Sequence, residues 1–301
     1  MKKWMKVTLI AGGILVAAGI GMITAATMNG GGNSLMGVRC YDRMGRNGWR
    51  YRYGENPVEE RSIEQDSIQA AALQEEYSFS GVTELEVEHC AGTARITESE
   101  QLEENEILIR QYGEGLSFQL RQEGTELNIS LPRQPRMHFR EILEPQKTMK
   151  DLEILVPVGF RFHELDIENI AGNFVAEVIQ ADKLSVELVS GRMEILGGTV
   201  KMMDLEIISG SISSRAVTEG GLSVESISGD VELLMAGDIG DYDYQVERNG
   251  GQIMLNGSTL VDYSGQIGNT RIDNHTGKEI ELECVGGGIM IQYEAASQNA
   301  L

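Results

Sequence analysis

Proline is scarce in this chain: five occur in 301 residues, and none follows Pro157. A proline cannot donate to a sheet ladder, so its absence leaves residues 158–301 open to uninterrupted backbone pairing. Cysteine is equally rare. Cys40, Cys90 and Cys284 lie too far apart for a metal-binding spacing, and they leave both redox compartment and pairing open. His89, His138, His163 and His275 stand singly, as structural histidines do. No Ser-His-Asp, Cys-His or zinc spacing occurs, so no catalytic residue, metal site or cofactor is assigned. Cations are missing from most of the chain as well. Residues 1–54 hold eight Lys/Arg and one Asp, a net of +7, and the remainder holds 17 Lys/Arg against 45 Asp/Glu, a net of −28. An acidic body of this kind excludes nucleic acid, whose binding needs cations to displace counterions. It favours solubility and cationic partners.

One long apolar run exists. Residues 7–28, VTLIAGGILVAAGIGMITAATM, carry no charge. That is enough to cross a hydrocarbon core, which takes about 20 residues. The Ala25-Ala26-Thr27 stretch is a weak cleavage site, so the run reads as an uncleaved signal anchor. Lys2, Lys3 and Lys6 flank it closely, whereas Arg39, Arg43 and Arg46 begin eleven residues after Met28. That asymmetry places the N-terminus inside and the body outside the cell. Gly13, Ala17, Gly21 and Ala25 recur every fourth residue, a spacing that lets two such helices pack as a homodimer. Residues 29–76 read as a linker, opened by Gly30-Gly31-Gly32 and enriched in basic and aromatic residues from Arg39 to Tyr53. Such a stretch is either a lipid-headgroup contact or a solvated spacer.

The rest of the chain repeats itself. Gly172, Gly191, Gly210 and Gly229 are spaced by 19 residues. Apolar columns stand seven before each (Leu165, Leu184, Met203, Leu222) and five before (Ile167, Val186, Leu205, Val224). Others stand two before (Ile170, Val189, Ile208, Ile227) and two after (Phe174, Met193, Ile212, Val231). All four columns are expected to face inward. Alternation of this kind indicates strands with one buried face, bent at each glycine. A 19-residue unit cannot bury its own apolar face, and stacking copies does so. The expected fold is therefore all-β: a single-stranded β-solenoid of 19–20-residue coils over residues 77–295, with a polar tail at 296–301. Fainter copies surround Gly92, Gly251 and Gly287, and YSGQI at 263–267 is out of step. Stacked in chain order, about ten coils would make a rod of roughly 50 Å.

The LEILVPVG phrase at 152–159, the L-x-[IV]-E-x-[IV]-[SA]-G-x-[IV] repeats, the terminal GGGIMI and the preceding apolar helix resemble a bacterial β-strand-repeat family of unknown function that carries an adhesin label. Its members include the membrane-anchored G protein of the Lia envelope-stress operon. The resemblance spans residues 77–292 and implies a cell-envelope location and a β-solenoid; it supplies no catalytic residue. The long basic, aromatic linker departs from it.

One outward column has its own chemistry. Four before each glycine stand Glu168, Glu187, Glu206 and Glu225, and the faint copies place Glu88, Glu247 and Glu283 there. The column is either a solvated face that discourages aggregation or a stripe that binds cations or a partner. The expected function is a non-enzymatic, extracytoplasmic interaction, adhesin-like or envelope-stress module. Its partners would be cationic peptides or cation-bridged envelope polymers. The alternatives are a carbohydrate-active β-helix enzyme, for which Asp241 and Asp243 are the paired acids considered, and a regulatory domain tethered inside the cell. Residues 77–295 alone are expected to give a circular dichroism spectrum dominated by strand with little helix. Dominant helix, or an unfolded chain, would exclude the solenoid.

Overall fold

Strict alternation of apolar and polar residues produces strands, and the computed structural model is built from them. It describes residues 72–131, 149–256, 258–259 and 270–294. The expected anchor, its Gly13-Ala17-Gly21 face, most of the linker, Cys40, the 263–267 segment and the 296–301 tail lie outside the described residues. No helix among the described residues is long and apolar enough to cross a membrane.

The chain opens with β1 (Leu73–Ser80), β2 (Glu84–His89), β3 (Thr93–Ser99), β4 (Glu106–Tyr112), β5 (Gln119–Glu123) and β6 (Glu126–Ser130). Strand structure thus begins at Leu73, inside the expected linker, because β1 pairs antiparallel with β4, and Glu75 also reaches Lys150 and Ser117, each at 2.7 Å. Next come β7 (Asp151–Pro157), β8 (Phe162–Asn169), β9 (Asn173–Ala176), β10 (Ile179–Leu188) and β11 (Arg192–Ile195). They are followed by β12 (Gly198–Ile207), β13 (Ser211–Thr218), β14 (Leu222–Ser226) and β15 (Asp230–Ala236). The last group is β16 (Asp243–Arg248), β17 (Gln252–Leu255), β18 (Ser258–Thr259), β19 (Thr270–Ile272), β20 (Glu279–Cys284) and β21 (Gly288–Glu294).

These strands form a solenoid-like stack, but the rungs do not follow chain order. One parallel sheet runs β6–β2–β8–β10–β12–β14–β20–β16. The other runs β7–β3–β9–β11–β13–β15–β21–β17. The coil of β2 and β3 is inserted beneath a level made later in the chain. The coil of β20 and β21 slots between β14–β15 and β16–β17. There are thus eight parallel levels among the described residues, fewer than ten, and about 34 Å from first to last at one strand spacing per level. Antiparallel strands close the ends: β5 on β6 and β4 on β7 at one end, β19 on β16 and β18 on β17 at the other. A short third face forms where Gly198–Val200 pairs with Ile179–Ala181 and then with Val217–Thr218.

Three of the four expected inward columns are buried. The column two before each glycine is not: Ile227 is 46% exposed, and Ile170, Val189 and Ile208 are only partly buried. The inward position is three before the glycine, occupied by His89, Asn169, Leu188, Ile207, Ser226 and Cys284, all buried. His89 Nδ1 meets Asn169 Oδ1 at 2.9 Å, so two polar residues on adjacent levels pair inside the core, while His89 Nε2 has no partner there.

The bend glycines stack as well. A Cβ on Gly191 would lie 2.2 Å from the Gly172 carbonyl oxygen, one on Gly210 would lie 2.3 Å from that of Gly191, and one on Gly287 would lie 2.1 Å from that of Gly229. Each carbonyl accepts from the amide after the glycine on the next level, as in Arg192 N–H to Gly172 O and Ser211 N–H to Gly191 O. Gly191→Ala therefore adds a backbone clash to the strain of φ +102°. Gly81 has φ +74° with nothing within 4 Å of its added Cβ, so Gly81→Ala carries strain alone, about 1–3 kcal/mol. Gly191→Ala is expected to lower the melting temperature well beyond Gly81→Ala. Equal losses in parallel thermal melts would refute the stacked-glycine account.

Candidate functional site

The repeated phrase L-x-[IV]-E turns its apolar residues inward and its glutamate outward. Parallel pairing without slip then brings equal positions together. Glu88 pairs with Glu168, Glu168 with Glu187, Glu187 with Glu206, and Glu206 with Glu225. Glu225 pairs with Glu283, and Glu283 with Glu247. The four expected glutamates and the three from fainter copies thus form one row of seven at a pitch of about 4.8 Å. The inserted coil makes the row continuous, since Glu283 bridges Glu225 and Glu247. Two residues earlier on the same face stand, level by level, Glu86, Asp166, Ser185, Asp204, Ser223, Glu281 and Gln245.

Little opposes this charge. Lys183 is held by Glu164. Among the described residues no cation forms an ion pair with Glu168, Glu187, Glu206 or Glu225. Burial, and then the charges of Glu187, Glu225 and Asp204, push the Glu206 carboxyl up to about 7. Burial and neighbouring carboxylates also raise Glu168, Glu187 and Glu283. Asp166 is raised in the same way. A proton or any other cation relieves the repulsion along the row.

Beside the glutamates, at the bend, runs the apolar column that sequence reasoning placed inside. Ladder bonds from Val189 N–H to Asn169 O, Ile208 N–H to Leu188 O and Ile227 N–H to Ile207 O keep it in register. Val285, 41% exposed, continues it through the inserted coil. A shallow cleft of about 220 Å³ opens on the acidic face where Gly221 and Ser223 are small, between Met202, Asp204 and Glu281.

The paired acids considered for an enzyme have other duties. Asp241 Oδ2 accepts the Asp238 amide at 2.8 Å, closing a 3-10 turn. Asp243 accepts the amides of Asn274 at 2.7 Å and Gly277 at 2.8 Å, and so pins the 273–277 loop. A larger cleft, about 620 Å³, lies against the β5–β6 hairpin, but Glu123 there is paired with Arg121. Among the described residues no group of three or more His, Cys, Asp or Glu is placed to hold a metal ion. Glycoside hydrolysis needs two carboxylates flanking the scissile bond. The glutamate row lies on an open sheet face. Cys90 and Cys284 are buried and unpaired with each other, and burial, then Glu88, pushes the Cys90 thiol up to about 11.

A family model matches residues 103–259, which hold the regular repeats and their bend glycines. The chain belongs to the family described as Toastrack DUF4097. The matched span of this Toastrack chain excludes both inserted coils, β2–β3 and β20–β21. No curated protein matches the chain. Among solved structures it is similar to a protein from Clostridium sporogenes ATCC 15579 named for cell adhesion, at 14% identity over 74% of this chain and 100% of that one, with a TM-score of 0.36. It is similar to a protein named as an adhesin from Bacteroides fragilis NCTC 9343, at 14% identity over 74% of this chain and 97% of that one, TM-score 0.37. A third, named likewise, from Parabacteroides distasonis ATCC 8503, has 14% identity over 73% and 97%, TM-score 0.26.

The raised carboxyl of Glu206 has a measurable sign. Its value climbs from 4.5 to about 7 on folding, so it contributes stability at acid pH that is lost as pH rises through 7. His89 acts oppositely, since burial lowers it and its contribution fades as pH falls below its ordinary value. Comparison with Glu206→Gln isolates the row. The variant is expected to melt above the native protein at pH 8, with the gap closing towards pH 5. A gap independent of pH would show that Glu206 does not titrate in this range.

Proposed function

We propose that this chain is a non-enzymatic, adhesin-like interaction module of the bacterial envelope. Residues 7–28 anchor it, the body lies outside the membrane, and the row from Glu88 to Glu247 is its binding stripe. The observation that carries the reading is the unbroken register of seven glutamates across coils drawn from distant parts of the chain. A solvated face needs charge but not glutamate at the same position on every level, and the outward column two residues earlier is mixed. A binding face for an extended cationic partner needs both charge and register, because weak, salt-sensitive single contacts add through multivalency. The open face, the structural duties of Asp241 and Asp243, and the Lys/Arg charge close to the inner end of residues 7–28 support the non-enzymatic and outward-facing parts.

The full chain is expected to bind a lysine homopolymer or calcium at low salt. Replacing Glu168, Glu187, Glu206 and Glu225 by Gln should weaken that binding several-fold more than replacing the exposed Glu100, Glu103, Glu104 and Glu114. Equal losses in the two quadruple variants, read by calorimetric titration, would reduce the row to net charge.

A further inference from the structure

We infer that the occupant of this face is a cationic amphipathic α-helix lying along the stack axis, across the rungs. The inference rests on the binding-stripe reading above and adds the partner's conformation and its apolar contact. The feature that carries it is an apolar ridge at the bend, in which Ile170, Val189 and Ile208 are partly buried and Ile227 and Val285 are 46% and 41% exposed. These side chains stand one residue past the ends of β8, β10, β12, β14 and β20, at the bend and accessible to solvent. The ridge is bounded by Cys90 at one end and by Asn249 at the other. It therefore covers five consecutive levels and no more.

The ridge and the glutamate row run parallel, two residues apart along the chain, which is at most about 6.6–7 Å. A partner covering both must be apolar along one stripe and cationic along the next. Charge complementarity settles the sign, because the face carries the seven glutamates and the acids at 86, 166, 204 and 281. The pitch settles the conformation. Levels repeat every ~4.8 Å, while an extended peptide along the axis presents same-side residues every ~6.6–7 Å and falls out of step within two levels. An α-helix presents one turn every ~5.4 Å. Its mismatch accumulates to only about 2–3 Å across five levels, within reach of lysine and arginine side chains. A helix of about 13 residues spans the ridge, with its apolar stripe over the isoleucines and its cations over the carboxylates.

The test uses the full chain and three labelled 20-residue probes. One places leucine at helix-period positions i, i+3, i+4 and i+7 with lysine beside them. The second has the same composition in strict alternation, and the third is lysine alone. The helix-period peptide is expected to bind at least tenfold tighter than the alternating one at low salt. Changing Val189, Ile208, Ile227 and Val285 to Thr, which keeps β-branching, should abolish that preference and leave lysine-homopolymer binding unchanged. Equal affinity for the two mixed peptides on the native protein overturns the helix while leaving the stripe intact, and needs no folded variant. An unaltered preference in a variant with native circular dichroism overturns the role of the ridge. Failure of all three probes to bind removes the stripe reading and this inference together.

Discussion

The carbonyl of each bend glycine accepts a hydrogen bond from the amide that follows the glycine on the next level. A side chain at that bend would occupy the space of the neighbouring carbonyl, so the levels approach closely only because the column is glycine throughout. This contact sets the register, and everything else inherits it. Leu stacks on Leu and Val on Ile in the core, and the glutamates align for the same reason. A slip of one residue would turn every apolar column outward, so the buried face enforces what the glycines set.

The aligned glutamates work against the stack. Two carboxylates a strand spacing apart repel by roughly 1 kcal/mol in water. Each adjacent pair of levels gains several backbone hydrogen bonds, each worth about 0.5–1.5 kcal/mol net, together with a continuous apolar core. The scaffold therefore tolerates the row. Burial and two like neighbours together hold the Glu206 carboxyl up at about 7.

The columns seven before, five before and two after each glycine were legible in the sequence because each is apolar in every regular repeat. The column two before was also uniformly apolar, yet it faces out. Positions five and two before the glycine differ by three, an odd number, and alternation must send them to opposite faces. The true inward column mixes His89, Asn169, Leu188, Ile207, Ser226 and Cys284, so it resembles no core when seen in sequence. The spatial order of the levels was hidden for another reason. Every coil carries the same pattern, so the period shows that coils stack but not which are neighbours. His89 faces Asn169, 80 positions away, and Glu225 faces Glu283. The glutamate row was legible as a column, while its continuity through Glu283 depends on the inserted coil.

That insertion changes how the C-terminal end responds to force. In a solenoid wound in chain order, the last coil has one free edge, and tension on the terminus peels it away bond by bond. Here β20 is paired on both sides by β14 and β16, and β21 by β15 and β17. Tension transmitted through Glu294 must shear two ladders at once, and the level it pulls on is covered by another. The interleaving supplies this mechanical hold without a disulfide between Cys90 and Cys284, which remain free thiols inside the core.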